Sequence, residues 1–194
     1  MGSASLPPVR SDPDDQSVRQ PRKQKLPRKI TPSYLENSAV FYLRRYASSS
    51  ANLKRVMLRK IDRSLKVHGG ERSEATAWLD EVIAKLTRAA LIDDDAYARM
   101  KVSSLRRKGA STRGVRAKLQ QKGVPSKLID QELVASGGSE LDAAQAYAKR
   151  RRLGPFRMKP STHPKQREKD LAAMARAGFP YGLSKGVIDG KGQG

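Results

Sequence analysis

Basic side chains are the residues of this chain most suited to binding chemistry, because they occur in three blocks that contain no carboxylate. The blocks span residues 37–60, 99–122 and 147–167, and they hold 23 of the 40 Lys and Arg residues and none of the 19 Asp and Glu residues. Lysine and arginine bind phosphates and carboxylates through charge-assisted hydrogen bonds. A basic face that recurs in this way indicates that the partner is a polyanion or a filament built on one.

Sixteen of these cations are candidate contacts with such a partner. Reversing the charges of Arg106, Arg107 and Lys108 is expected to weaken binding and to leave the helices intact. Tyr42 and Tyr97, like Tyr147, precede basic residues and could stack on bases, but their places on apolar helix faces favour packing. The sixteen candidates are Arg44, Arg45, Lys54, Arg55, Arg99, Arg106, Arg107, Lys108, Arg113, Arg116, Lys118, Lys122, Lys149, Arg150, Arg151 and Arg152.

Catalytic and metal-binding patterns are missing from the sequence. There is no cysteine, and the two histidines, His68 and His163, have no partner at metal-ligand spacing. No phosphate-binding loop of the Gly-x-x-x-x-Gly-Lys type is present. The adjacent carboxylates of Asp80 and Glu81 point in different directions on a helix and do not form an acid/base pair. We therefore expect a protein that is not an enzyme and that needs no cofactor and no metal.

Composition predicts a thin helical fold. Apolar residues make up 37% of the chain and aromatic residues 5%, which is too little for one thick core. A stack of helical repeats needs less apolar surface, because each repeat buries only the face that meets its neighbour. Residues 1–32 are rich in proline and poor in apolar side chains, so we expect a disordered basic arm there. No stretch approaches the roughly 20 apolar residues of a membrane span and no signal sequence is evident, which predicts a cytoplasmic protein that does not bind membranes.

Apolar residues recur at helical spacing from residue 33 to residue 190, and no segment has the pattern of a strand. One helix is expected to start near Ser49 or Ser50, either of which can act as its N-cap, and a short helix is expected over residues 111–121. The run Asp93–Asp95 has the position of a helix cap and lacks the spacing of a calcium loop. Trp78 lies on the most regular apolar stripe and is expected in the core.

An internal repeat organises these helices. Residues 119–128 align with residues 174–183, and each copy has an apolar residue, a glycine four positions later, an apolar residue and a proline that opens the next helix. A second internal similarity joins Ala96–Ala98 and Ala146–Ala148, because each is Ala-Tyr-Ala followed by basic residues. The predicted fold is all-α, with three tandem three-helix repeats at residues 33–91, 92–137 and 138–190 in an elongated, curved array.

Several of these segments resemble the bacterial RecX family of regulatory proteins. The resemblance rests on Tyr42–Arg45 followed by Ser49 and Leu53, on Leu91–Arg99, on Leu119–Val124 and on Ala177–Phe179, and it spans residues 34 to 190. The sequence departs from the family pattern at Tyr46, where aspartate is usual, at Ala89 and Ala90, and at Ala177.

The resemblance implies a regulator of the RecA recombinase. Proteins of this family lodge in the groove of the RecA–DNA filament and inhibit strand exchange, ATP hydrolysis and filament growth, and so modulate DNA repair, recombination and the SOS response. The implied partners are the RecA filament and single- or double-stranded DNA, with this protein acting as a monomer. Capping, side-binding and disassembly of the filament remain open as modes of inhibition. The alternative is a general DNA-binding protein that uses residues 111–135 as a helix-turn-helix.

Overall fold

Helices make up the regular secondary structure of this computed structural model, which describes residues 26–159 and 163–190. No strand occurs in those residues, and the all-α prediction is confirmed. No helix in the described ranges combines the length and apolar character needed to cross a bilayer. The helices are α1 (Pro32–Arg45), α2 (Ser50–His68), α3 (Arg72–Arg88), α4 (Asp94–Arg107), α5 (Thr112–Gln121), α6 (Ser126–Ala135), α7 (Glu140–Arg151), α8 (Gln166–Arg176) and α9 (Tyr181–Ile188).

These helices pack as three successive units of three, each around its own apolar core. In unit 1 (α1–α3), Leu35, Leu53 and Leu79 are fully buried, and Trp78 packs against them as predicted. Unit 2 (α4–α6) is centred on residues that include Val115. Unit 3 (α7–α9) is centred on residues that include Met174. The cores are small, in keeping with the low apolar content.

The end of the predicted N-terminal arm packs against unit 1, while residues 1–25 lie outside the described residues. Ile30 is buried in the core of the unit. The Ser64 hydroxyl donates a hydrogen bond to the Arg28 carbonyl (2.7 Å), and a ring nitrogen of His68 lies 2.7 Å from the Pro27 carbonyl oxygen. Packing contacts therefore extend several residues N-terminal to the boundary at residue 32 that composition predicted, because Ile30 finds an apolar site.

The repeat predicted from the glycine-proline motif is present in the backbone. After α5 the Val124 N–H bonds the Leu119 carbonyl (3.1 Å), and after α8 the Phe179 N–H bonds the Met174 carbonyl (3.2 Å). These are the bonds of a Schellman helix end, with Gly123 and its counterpart at residue 178 at positive φ. The prolines stand immediately before α6 and α9, one residue earlier than predicted.

Neighbouring units are joined through buried serines that cap a helix. Ser49 caps α2 by accepting a hydrogen bond from the Asn52 N–H (3.2 Å), and its hydroxyl donates to the Lys122 carbonyl in unit 2 (2.5 Å). Ser111 caps α5 in the same way, and its hydroxyl donates to the Ala177 carbonyl in unit 3 (2.5 Å). Each serine thus satisfies its own helix start and the end of a helix in the following unit.

An acidic residue completes each joint. The Ser50 N–H and hydroxyl donate to the Asp94 carboxylate at 2.8 and 2.5 Å, and the Thr112 N–H and hydroxyl donate to the Glu140 carboxylate at 3.0 and 2.6 Å. Both acids are the first residue of the first helix in the following unit. The same joint therefore occurs between units 1 and 2 and between units 2 and 3, which places the three units in a row.

Candidate nucleic-acid interface

The joint between units 2 and 3 forms a groove lined by cations from both units, called here the basic groove. Its volume is about 450 Å³. No Asp or Glu lines it, and its floor is made of small or apolar residues such as Ala110 and Ala117. The basic residues along it are Lys108, Lys118, Arg150, Arg151 and Arg176.

Helix ends place these cations in the basic groove. Arg150 and Arg151 lie in the last turn of α7, and Arg176 lies in the last turn of α8. Cations are favourable at helix C-termini, where the carbonyl dipoles are uncompensated. Arg150 also donates a hydrogen bond to the Lys108 carbonyl and lies over the Tyr147 ring, 5.6 Å from its centroid. The basic groove thus places positive charge at helix C-termini, where the backbone carbonyl dipoles stabilise it.

Arg176 was not among the sequence candidates. Glu168 and Asp170 precede it in the chain, so it lies outside the three basic blocks, which contain no acidic residue. A usable signal was its position two residues before Gly178, which matches the position of Arg107 two residues before Gly109 at the end of α4.

Arg106 corrects the expectation that residues 106–108 form one exposed basic patch. Its side chain is 9% exposed and forms an ion pair with Glu140 (2.8 Å). It also donates to the carbonyls of Ala110, Gly138 and Ser139 at 3.0, 2.7 and 2.8 Å. Arg106 therefore ties α4 to the start of α7, and reversing its charge would disrupt the joint. Arg107 and Lys108 are exposed, as expected.

Three further candidates are neutralised by acidic neighbours in their own unit. Lys54 pairs with Asp80 at 2.5 Å. Arg99 pairs with Glu132 at 3.6 Å, and Arg116 pairs with Asp130 at 2.8 Å. The blocks are free of acids along the chain, but helix packing brings acids from α3 and α6 beside them. These three cations are less available to a polyanion than the residues of the basic groove.

Other candidates lie at the joint between units 1 and 2. Arg55 donates to the Gln121 carbonyl (2.6 Å), and the Lys122 ammonium lies 3.5 Å from the Asn52 side-chain oxygen. Arg45 lies over the Tyr46 ring at 5.8 Å. Within the described parts of the chain, the remaining candidates have exposed side chains with no hydrogen bond or ion pair: Arg44, Arg107, Lys108, Arg113, Lys118, Lys149, Arg151 and Arg152.

The three tyrosines singled out from the sequence pack inside the units. Tyr97 is buried; burial raises the pKa of its phenol, and the neighbouring Tyr42 and Asp94 act in the same direction. Tyr147 packs against Phe179, with ring centroids 5.6 Å apart. Packing, rather than base stacking, is what these side chains do in the structure.

The helices of the alternative helix-turn-helix carry charges unsuited to reading DNA. On α6, which would enter the major groove, Lys127 is accompanied by Asp130 and Glu132. Both acids already pair with cations of α4 and α5. Carboxylates on a recognition helix repel phosphate. The basic groove, and not α6, is the surface suited to nucleic acid.

Comparisons with known proteins agree with this architecture. Residues 93–133 match the RecX second three-helix domain. The chain is 50% identical over 183 residues to the regulatory protein RecX of Myxococcus xanthus, covering 93% of this chain and 96% of that protein. It is 30% identical over 156 residues to the regulatory protein RecX of Agrobacterium fabrum, covering 80% and 82%.

A solved structure shares the fold. The crystal structure of RecX from Lactobacillus salivarius superimposes with a TM-score of 0.57 at 18% identity, covering 82% of this chain and 95% of that one. The similarity to the Myxococcus xanthus protein, at 50% identity over 93% of this chain, is evidence of relationship independent of the fold. This chain belongs to the RecX family of regulatory proteins.

Proposed function

We propose that this protein binds the RecA–DNA filament and inhibits RecA ATP hydrolysis and strand exchange, and that it thereby regulates DNA repair and recombination. The observation that carries the proposal is the basic groove between units 2 and 3, which is lined by five cations and no acid. Family membership supports it. The protein acts as a cytoplasmic monomer without catalysis of its own, and the repeats at residues 33–91, 92–137 and 138–190 are its working units.

The two walls of the basic groove belong to different units, and both carry cations that a polyanion can contact. Lys118 projects from α5 in unit 2, and Arg151 projects from α7 in unit 3. The joint fixes the distance between these walls, so the backbone positions of the cations are set before binding and the two units need no rearrangement. Phosphates bound there release counterions, and affinity should fall steeply as salt rises.

A titration of RecA ATPase activity tests the proposal. RecA, single-stranded DNA and ATP are mixed with increasing amounts of this protein, and we expect hydrolysis to fall. Suppression at well below one copy per RecA monomer would indicate capping of growing ends, and suppression only near equal amounts would indicate binding along the filament. Unchanged hydrolysis at a large excess would refute the proposal, and a sharply sequence-specific footprint without RecA would favour the helix-turn-helix alternative.

A further inference from the structure

A second groove lies between α4, α6 and α7, at the same joint as the basic groove. Its volume is about 560 Å³. The small side chains of Ala135, Ala143 and Ala146 line it, and Ser103 lies on its α4 wall. We call this cavity the mixed groove because its charged residues are of both signs: Arg99, Arg106, Arg107, Glu132 and Asp142.

The two grooves open on different sides of α4. Ser103 lines the mixed groove, and Leu105, two residues later, lines the basic groove. Two residues are about 200° apart around an α-helix, so these side chains point in nearly opposite directions. A ligand in one groove therefore does not block the other.

The chemistry of the mixed groove suits a protein better than a polyanion. Glu132 already pairs with Arg99, but Asp142 has no ion pair within the described residues and would repel phosphate groups. Arg107, which has no ion pair within the described residues, and Asp142 complement charges of both signs on a protein surface. The alanine floor leaves room for an apolar side chain of the partner, and the cavity falls within the roughly 300–1,000 Å³ usual for binding pockets.

We propose that the mixed groove docks a segment of the recombinase while the basic groove holds the phosphates of its DNA, so that one joint grips both components of the filament from opposite sides. This inference rests on the proposed function and assigns a separate surface to each partner. The docking segment carries an apolar side chain flanked by residues of both charges. It is a protein segment and not nucleic acid.

The absence of cysteine from the chain allows a direct test by site-specific cross-linking. Ser103→Cys places a thiol in the mixed groove, and Ala117→Cys places one in the basic groove. Ala84→Cys, on the exposed face of α3, is the control. Each variant carries a short photoreactive maleimide and is irradiated with RecA filaments on labelled single-stranded DNA. We expect the label at residue 103 to join RecA, the label at 117 to join DNA, and the control to join neither efficiently.

Two outcomes separate this inference from the proposed function. If the unlabelled protein inhibits RecA but the label at residue 103 joins DNA, or joins nothing, the assignment of the mixed groove is wrong. If the unlabelled protein does not inhibit RecA, the proposed function itself fails. A Ser103→Tyr variant that fills the groove, with helicity checked by circular dichroism, should lose at least tenfold in ATPase inhibition and keep its affinity for DNA alone. Inhibition equal to the native chain would overturn the inference.

Discussion

Arg106 and Arg107 are identical neighbours in the sequence, and the structure gives them different roles. The Arg106 side chain is largely buried at the joint, with four hydrogen bonds to unit 3 and its own loop, whereas Arg107 is exposed. Removing one partner of a buried ion pair leaves the other uncompensated, which typically costs about 3–5 kcal/mol. An exposed arginine without a partner contributes little to stability.

We therefore predict that Arg106→Ala lowers the free energy of unfolding by about 3 kcal/mol. The control is Arg107→Ala, which should change it by less than about 0.5 kcal/mol. Urea unfolding followed by circular dichroism measures both variants. Equal effects at the two positions would contradict the structural role of Arg106.

The sequence predicted the chemistry of single residues less well than the helices that carry them. A run of Arg-Arg-Lys predicts one basic patch, and only packing shows that the first arginine reaches Glu140, 34 residues away. Asp170 is a similar case. Burial alone would raise the pKa of its carboxyl, but hydrogen bonds from Arg157, the Gly154 N–H and Gln166 outweigh it and hold the pKa below its ordinary value. No local pattern identifies these partners.

At the scale of the element, the helices and their ends were predictable because their signals are local. Serine caps, glycine stops and apolar periodicity act within a few residues. Ser49, one of two candidate caps, caps α2, and Ser111, expected as the first residue of its helix, caps α5. Their second contact, to a carbonyl in the following unit, was not predictable. It depends on two glycine ends, at Gly123 and Gly178, that come close to the neighbouring unit.

A substitution at Gly123 tests how closely units 1 and 2 approach each other. Its φ is +75°, and a Cβ there would meet the Ala51 Cβ at 2.5 Å. Gly137 also has a positive φ, of +62°, but its Cβ would meet nothing within 4 Å. Gly137→Ala should therefore cost only the left-handed backbone penalty, about 1–2 kcal/mol. We expect Gly123→Ala to lower the thermal unfolding temperature further than Gly137→Ala, and equal shifts would show that the joint adjusts to the added methyl group.

At the scale of the whole molecule, the likeness of units 2 and 3 followed from the sequence, because residues 119–128 recur 55 positions later at residues 174–183. The distribution of charge on the folded protein was not predictable from the sequence. Acids from α3 and α6 fold beside some blocks and neutralise them, whereas the basic groove collects its cations from three helices and from Lys108, which follows α4. A tally of charge along the chain therefore overestimates the unpaired positive charge in units 1 and 2 and misses Arg176 in unit 3.

The salt dependence of DNA binding reports on the assembled basic groove. Lys118 and Arg151 face it from different units, so both contact the same phosphate backbone only if the joint is formed. Each phosphate contact contributes about 0.9 to the slope of log affinity against log salt on duplex DNA. We predict that Lys118→Glu with Arg151→Glu reduces the magnitude of that slope by about 2 and weakens RecA inhibition.

The control for that pair makes the same change in net charge outside the basic groove. Lys66→Glu on α2 and Lys127→Glu on α6 alter exposed residues that do not line it. Fluorescence anisotropy of a labelled oligonucleotide over a range of salt concentrations measures all three proteins. If affinity depended only on the total charge of the array, both double variants would lose the same slope. Because the groove positions its cations by a fixed joint, we expect the control pair to retain most of the native slope and its inhibition of RecA.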